Sequence, residues 1–329
     1  MESGYQQARQ SAAFDERRDR GRVRLSGADA RSFLHAQLTN DIQALAPGAG
    51  CYAALLTPQG RMISDMAVLH ERHATALWAV VPVDLAAALA SRFDRSIFTE
   101  DVSVLDQTAA TAHFSITGPG AREAADRALR DLGCGGVMPA LLRPYDNDGH
   151  GDGDGPAIFW ISDDLEPGGV DIAVPATRGG MLRDALARVA APLSPGARLA
   201  LRLETGRPEF HVDMTADTIP LEANLLDRAI STSKGCYVGQ EVIIRVLHRG
   251  GGRVAKRLMR LRFDGGESDA PQAGAVLSAD AREVGTVTSA AWSPRDAALI
   301  GLGYVHRDYA REDAALTLAG GRAAVITGA

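Results

Sequence analysis

Apolar and polar positions form short runs along most of the chain, and the period of each run predicts an element. Residues 22–25 (RVRL) read as a short strand, and residues 29–38 (DARSFLHAQL) set Phe33, Leu34 and Leu38 on one helical face. Residues 51–57 (CYAALLT) and 62–69 (MISDMAVL) are apolar runs separated by Pro58-Gln59-Gly60, which predicts a hairpin. A strand over 76–82 and a helix over 84–93 follow. A strand over 112–117 then leads through Gly118-Pro119-Gly120 into a helix over 121–132. Residues 145–156 (YDNDGHGDGDGP) have no apolar period and predict a solvated loop. Strands are expected at 157–162 and 170–174, and helices at 177–190 and 196–204. Beyond Gly250-Gly251-Gly252 the runs at 255–263, 275–277, 284–290, 298–305 and 316–326 are short, β-like and closely punctuated by Gly and Pro. That spacing predicts a small antiparallel barrel or sandwich, and hence a division into residues 1–250 and 251–329.

Composition narrows the picture. A chain of 329 residues suggests two domains at roughly 150 residues each. With 46% hydrophobic and 23% charged residues it has the composition of a globular protein. The net charge of −6 argues against a uniformly basic nucleic-acid coat. Cys51, Cys134 and Cys236 are an odd number with no CxxC pair, which argues against a disulfide framework and a structural zinc site. One chain cannot supply four thiolates to an iron–sulfur cluster. The Gly/Asp run does not make a calcium loop, because the twelfth position from Asp148 is Phe159, where an acidic ligand is needed. No metal site is expected. No secretory leader is visible, and the most apolar stretch, 77–90, is broken by Pro82 and Asp84. The expectation is a soluble, cytoplasmic protein without a membrane partner.

Residues 231–249 (STSKGCYVGQEVIIRVLHR) carry the densest chemistry. Cys236 lies just ahead of a helical run starting at Gln240, beside Lys234 and in reach of Arg245. Such positive fields stabilise a thiolate. The competing reading is a buried, inert thiol. Cys51 in an apolar strand and Cys134 in a Gly-rich turn read as structural. From Arg245 to Arg262 there are seven basic residues, including Arg249 and Arg253, and no acid. The stretch reads either as an anion-binding patch or as a strand edge whose arginines cover apolar surface. No aromatics are interleaved to stack single-stranded RNA bases.

Lys234-Gly235-Cys236-Tyr237-Val238-Gly239-Gln240-Glu241 resembles the KGCYxGQE signature of the YgfZ family. Its members are folate-binding relatives of the glycine-cleavage T-protein, implicated in iron–sulfur protein maturation and tRNA modification. Residues 26–65, 202–222 and 282–305 resemble further segments of that family, so the likeness spans nearly the whole chain. It implies an α+β fold: interleaved mixed lobes enclosing a folate pocket, closed by a C-terminal antiparallel β-barrel. It also implies a site. Tyr52 and Asp65 match positions lining the folate pocket of T-proteins, Asp65 standing at their catalytic aspartate. Glu204 matches the glutamate that holds the pterin. A carboxylate accepts two adjacent N–H donors at once, which suits a pterin's amino-pyrimidinone edge.

The resemblance implies a tetrahydrofolate-binding factor that assists assembly or repair of iron–sulfur proteins, including tRNA-thiolating 4Fe–4S enzymes, with Cys236 essential. A transient cluster shared with a client or assembly partner stays open. The alternative is a folate-dependent aminomethyltransferase of T-protein type with Asp65 as acid/base. Two departures argue against that alternative: Val80-Val81-Pro82-Val83-Asp84 stands where T-proteins carry an Asn-containing segment, and the signature replaces their own segment. A tRNA-binding module built on the basic stretch is the third reading, which the net charge disfavours.

Overall fold

The structure, a computed structural model, describes residues 3–133, 143–152, 155–165, 167–249 and 251–329. The chain opens with helix α1 (Tyr5–Gln10) and strands β1 (Ala13–Glu16) and β2 (Arg20–Ser26). Helix α2 (Ala30–Gln37), strands β3 (Gly50–Leu56), β4 (Met62–His70) and β5 (Ala76–Pro82), helix α3 (Ala86–Asp94) and strand β6 (Ser103–Asp106) follow. Strands β2 to β6 form one sheet in the order β3-β4-β5-β2-β6.

The second sheet adds β7 (Thr111–Thr117), β8 (Asn147–Asp152), β9 (Gly155–Ser162), β10 (Gly169–Pro175) and β11 (Ala191–Pro192) to β1. Its order is β11-β1-β7-β10-β9-β8. Helices α4 (Ala121–Asp131), α5 (Gly179–Ala187) and α6 (Pro195–Thr205) belong to this half. Ser194 caps α6, accepting a hydrogen bond from the Ala197 amide, and Pro195 supplies the preset first turn.

Strand β5 is buried at all seven positions, so its run ALWAVVP shows no in–out alternation. The period of two appears in what each face touches. Leu77, Ala79 and Val81 pack with Phe33, Leu34, Leu89 and Phe93 of α2 and α3. Trp78 and Val80 point the other way, into a core shared with Trp160 and Ala173 of the second sheet. The second sheet mirrors this arrangement. Phe114, Ile116, Val170 and Ile172 pack on α4 and α5, whereas Ile158, Trp160 and Ala173 turn inward. Two helix-backed sheets thus present their inner faces to one another.

Short helices α7 (Leu226–Ala229) and α8 (Gln240–Ile244) lead to strands β12 (Lys256–Phe263), β13 (Val276–Ala279), β14 (Arg282–Ser293), β15 (Ala298–His306), β16 (Ala315–Thr317) and β17 (Ala323–Gly328). These six close into a barrel, β12-β15-β14-β13-β16-β17. The expected α+β fold with its C-terminal antiparallel barrel is the observed one.

Two local expectations are corrected, and a helix and a strand that the sequence did not predict open the chain. The polar run 145–156 is mostly strand: β8 pairs antiparallel with β9 from Asn147↔Trp160 to Asp152↔Gly155. As the sheet's edge, β8 needs backbone pairing on one side and no apolar face. The run 316–326 is two strands, because Gly320 and Gly321 turn the chain at φ 81° and 80°. Helix α1 and strand β1 lie in an N-terminal segment whose charges hide them. Among the described residues no helix is long and apolar enough to cross a membrane.

Candidate functional site

The inner faces meet at a cleft. Strand parity places its residues: in MISDMAVL and CYAALLT the cleft-facing positions include Asp65 and Tyr52, both buried. In the register Tyr52↔Ala67 and Ala54↔Asp65 these two are diagonal cross-strand neighbours. The Tyr52 hydroxyl donates to Asp65 Oδ2 at 2.6 Å. Burial, reinforced by Asp65, pushes that phenol well above its ordinary pKa, so it stays a donor. Asp65 Oδ1 is buried and has no hydrogen-bond partner.

Arginines surround this pair. The cleft is lined by six of them, Arg17, Arg20, Arg198, Arg202, Arg207 and Arg228, against four carboxylates, Asp65, Asp164, Asp171 and Glu209. Arg20 lies 3.9 Å from Asp65 Oδ1 and 3.6 Å from Glu209. The Arg228 guanidinium sits 4.0 Å from the Tyr52 ring centroid. It donates to the Tyr145 hydroxyl and to Asp163, each at 2.6 Å. Burial alone would raise Asp164, but Arg228, Arg20 and Arg17 outweigh it and hold that carboxyl well below the usual range. About 50 Å³ of the interior stays open, room for a few water molecules.

Glu204 is not brought to this cleft. It is fully buried at the junction of α1, α6 and the barrel, where Tyr5 and Ser293 each donate to Oε1 at 2.6 Å and Arg9 pairs with Oε2. Its oxygens are consumed in tying the N-terminal helix to the barrel. The acid that α6's following loop does bring to the cleft is Glu209.

The signature loop also differs from expectation. Lys234 does not attend Cys236. Its Nζ turns to the end of α2 and donates to the carbonyls of His35, Leu38 (2.6 Å) and Asn40 (3.1 Å). Carbonyls converging at and just beyond a helix C-terminus are a natural seat for an ammonium. Burial lowers Lys234 to about 8. Arg245 pairs with Glu241 one turn away. Gly239 adopts φ 84° and lies against the hairpin turn, where a Cβ would stand 2.5 Å from the Thr57 carbonyl oxygen. Tyr237 packs into the core that holds Tyr52 and Tyr145. Cys236 is exposed and does not line the cleft; Gly235 and Glu241 are exposed and Gln240 half-buried. The cationic surroundings expected for the thiol are therefore engaged elsewhere, and the expectation of a buried thiol fails as well.

Cys51 packs against the helix-side core, and burial pushes its thiol up to about 12. Cys134 and the Arg249 side chain lie outside the described residues. In the basic stretch, Arg260 donates inward to the Glu204 carbonyl at 2.8 Å and Lys256 lies 4.6 Å from the Tyr304 ring centroid. Arg253 is exposed. These side chains divide between solvent and the barrel. Among the described residues no group of three His, Cys, Asp or Glu side chains is placed to hold a metal ion.

Sequence reasoning missed Arg20, His113, Asp164, Asp171, Glu209 and Arg228 as cleft residues. His113 in TAHFSIT and Asp171 in GVDIAVP are polar positions inside apolar runs, as Asp65 is in MISDMAVL. A buried polar residue is the informative exception.

Two opposed α/β sheets, a cleft between them and a closed C-terminal barrel make a T-protein-like fold. Residues 1–135 match the GCVT N-terminal domain, and residues 256–326 match the glycine cleavage T-protein C-terminal barrel domain. The chain belongs to this GCVT-like superfamily. It is 28% identical over 292 residues to a putative chloroplastic transferase of Arabidopsis thaliana, covering 88% of this chain and 64% of that protein. The chain thus spans less than two thirds of that relative's length. It is 29% identical over 286 residues to an aminomethyltransferase of Rubrobacter xylanophilus, covering 87% and 73% of the two chains. The crystal structure of the glycine cleavage system aminomethyltransferase T from Bartonella henselae superposes with a TM-score of 0.86 at 21% identity, over 99% of this chain and 87% of that one. That likeness concerns the fold.

Proposed function

We propose that the chain binds tetrahydrofolate, or a derivative, in the cleft between the sheets and works on one-carbon groups as aminomethyltransferases do. The observation that carries this reading is the buried Oδ1 of Asp65, which accepts no hydrogen bond and is held in place through its other oxygen by Tyr52. A buried acceptor left unsatisfied is costly, and an N–H donor on a bound heterocycle would satisfy it. The excess of arginines over carboxylates in the lining suits an anionic ligand such as a glutamate-tailed folate. A ring stacking on Tyr52 displaces Arg228 from its face.

The aminomethyltransferase reading moves ahead of iron–sulfur maturation, reversing the order that the signature suggested, because relatives matched over most of the chain carry that name. One observation favours the maturation reading as a second role: Cys236 is exposed on a loop clamped by Lys234 and Tyr237, available to a client protein in the cytoplasm. Among the described residues, none of the basic stretch lines the cleft.

Purified protein, tetrahydrofolate and an aminomethylated lipoyl carrier test the first reading. Methylene transfer to tetrahydrofolate is the expected result, and its absence refutes transfer. The second is tested in a strain carrying only Cys236→Ser: 4Fe–4S enzymes, including tRNA-thiolating ones, should lose activity. Unchanged activity removes it.

A further inference from the structure

The second wall of the cleft carries its own polar pair. His113 on β7 and Asp171 on β10 are each about 2% exposed, and both line the cleft. In the register Ala173↔His113 and Asp171↔Ser115 they are diagonal neighbours, the relation that Tyr52 and Asp65 have on the first wall. The resemblance stops at their bonding. Both His113 ring nitrogens and Asp171 Oδ1 lack any hydrogen-bond partner. His113 Nε2 stands 3.4 Å from Asp171 Oδ1, in contact but outside hydrogen-bond geometry. Trp160 lies against the imidazole, with ring centroids 5.0 Å apart, and so limits its rotation.

A neutral imidazole offers one donor and one acceptor. Burial lowers the pKa of His113 against the pull of Asp171, with Arg17 and Arg22 lowering it further, so the ring is neutral near pH 7. Native structures satisfy nearly all buried polar atoms, and each exception calls for a reason. Such atoms also occur on Arg9, Asn147 and Tyr304, but most belong to residues lining the cleft: Asp65 Oδ1 on one inner face, His113 and Asp171 Oδ1 on the other, with Arg202 and Arg228 beside them.

We propose that His113 and Asp171 are a ligand-contacting pair, taking the hydrogen-bonding edge of a bound heterocycle opposite to the edge that Asp65 takes. The ligand class is a flat heterocycle with polar atoms on two opposed edges. This inference rests on the tetrahydrofolate reading and assigns the cleft's second recognition surface.

The test is calorimetric titration of the full chain with tetrahydrofolate, alongside thermal melting without ligand, for the parent, His113→Leu and His113→Gln. Neither ring nitrogen of His113 has a hydrogen-bond partner, so an apolar replacement removes no hydrogen bond from the ligand-free fold. His113→Leu should therefore bind ~tenfold more weakly or worse, while its melting temperature holds or rises. His113→Gln keeps a donor and an acceptor, and should bind closer to the parent. Binding by His113→Leu equal to the parent's overturns the proposal. So does a melting temperature lowered by more than about 4 °C, which marks a structural role, or equal losses in the two variants. If the parent itself does not bind tetrahydrofolate, the reading of the cleft falls and the pair's role with it. A parent that binds beside an unaffected His113→Leu removes this inference alone.

Discussion

In the central cleft, charged side chains from strands of two sheets, from α6 and α7 and from the loops between them converge, arginines outnumbering carboxylates, and buried atoms of Asp65, His113 and Asp171 have no hydrogen-bond partner. In the loop 231–241 the charges face away: Lys234 is spent on three carbonyls of α2's end and Arg245 on Glu241, leaving Cys236 exposed without them. The cleft stores unsatisfied hydrogen-bonding capacity, as a binding site does. The loop satisfies its own and holds two parts of the fold together. A strong local motif can therefore be chiefly an architectural clamp, while residues scattered through the sequence build the recognition surface.

The contrast can be broken at the clamp. Lys234→Met removes the ammonium donor from the carbonyls of His35, Leu38 and Asn40, of which only Asn40's keeps a second donor, the Ile42 amide, and should lower stability by about 3 kcal/mol, read from denaturant unfolding. Tetrahydrofolate affinity of the folded fraction should hold, since Lys234 lies outside the cleft lining. Gly239→Ala forces a Cβ toward the Thr57 carbonyl at a positive φ, and should cost ~2 kcal/mol. Losses under 0.5 kcal/mol in both variants would mean that the loop is not a clamp.

Thiol chemistry sharpens the same contrast at smaller energetic effect. In a Cys134→Ser background at pH 8, an aromatic disulfide reagent should react quickly with exposed Cys236 and much more slowly with half-buried Cys51 until the chain unfolds. Burial raises Cys51 to about 12, above the roughly 8.5 of an unfolded thiol. Its contribution to stability is therefore complete below pH 8.5 and is lost as pH climbs toward 12, because the unfolded chain releases the proton first. Cys51→Ala should flatten that alkaline decline. Equal labelling rates for the two thiols would contradict the assignment.

Much of the fold was legible. The β3–β4 hairpin, the strand–helix alternation and the barrel follow from apolar period and from Gly and Pro punctuation. What stayed hidden has physical reasons. Strand β8 is held by backbone pairing at an edge, with no apolar face to read. Helix α1 buries Tyr5 and Ala8 within a charged segment. Tyr52 and Asp65 could be singled out through a family resemblance, and parity then sets them on one face. The same resemblance singled out Glu204, but its burial and its partners Tyr5, Arg9 and Ser293 were hidden because those partners come from distant segments. His113, Asp171 and Arg228 are recognisable only once two sheets are set face to face, because no local spacing links them.

The central claim is that the cleft, and not the cysteine loop, recognises the folate ring. Calorimetric titration of tetrahydrofolate into the parent, Asp65→Asn and Cys236→Ser tests it most directly. The account predicts saturable binding by the parent, unchanged binding by Cys236→Ser, and binding weakened ~100-fold by Asp65→Asn, which replaces a charged acceptor by a donor. A parent that does not bind, or an Asp65→Asn variant that binds as the parent does, would contradict it.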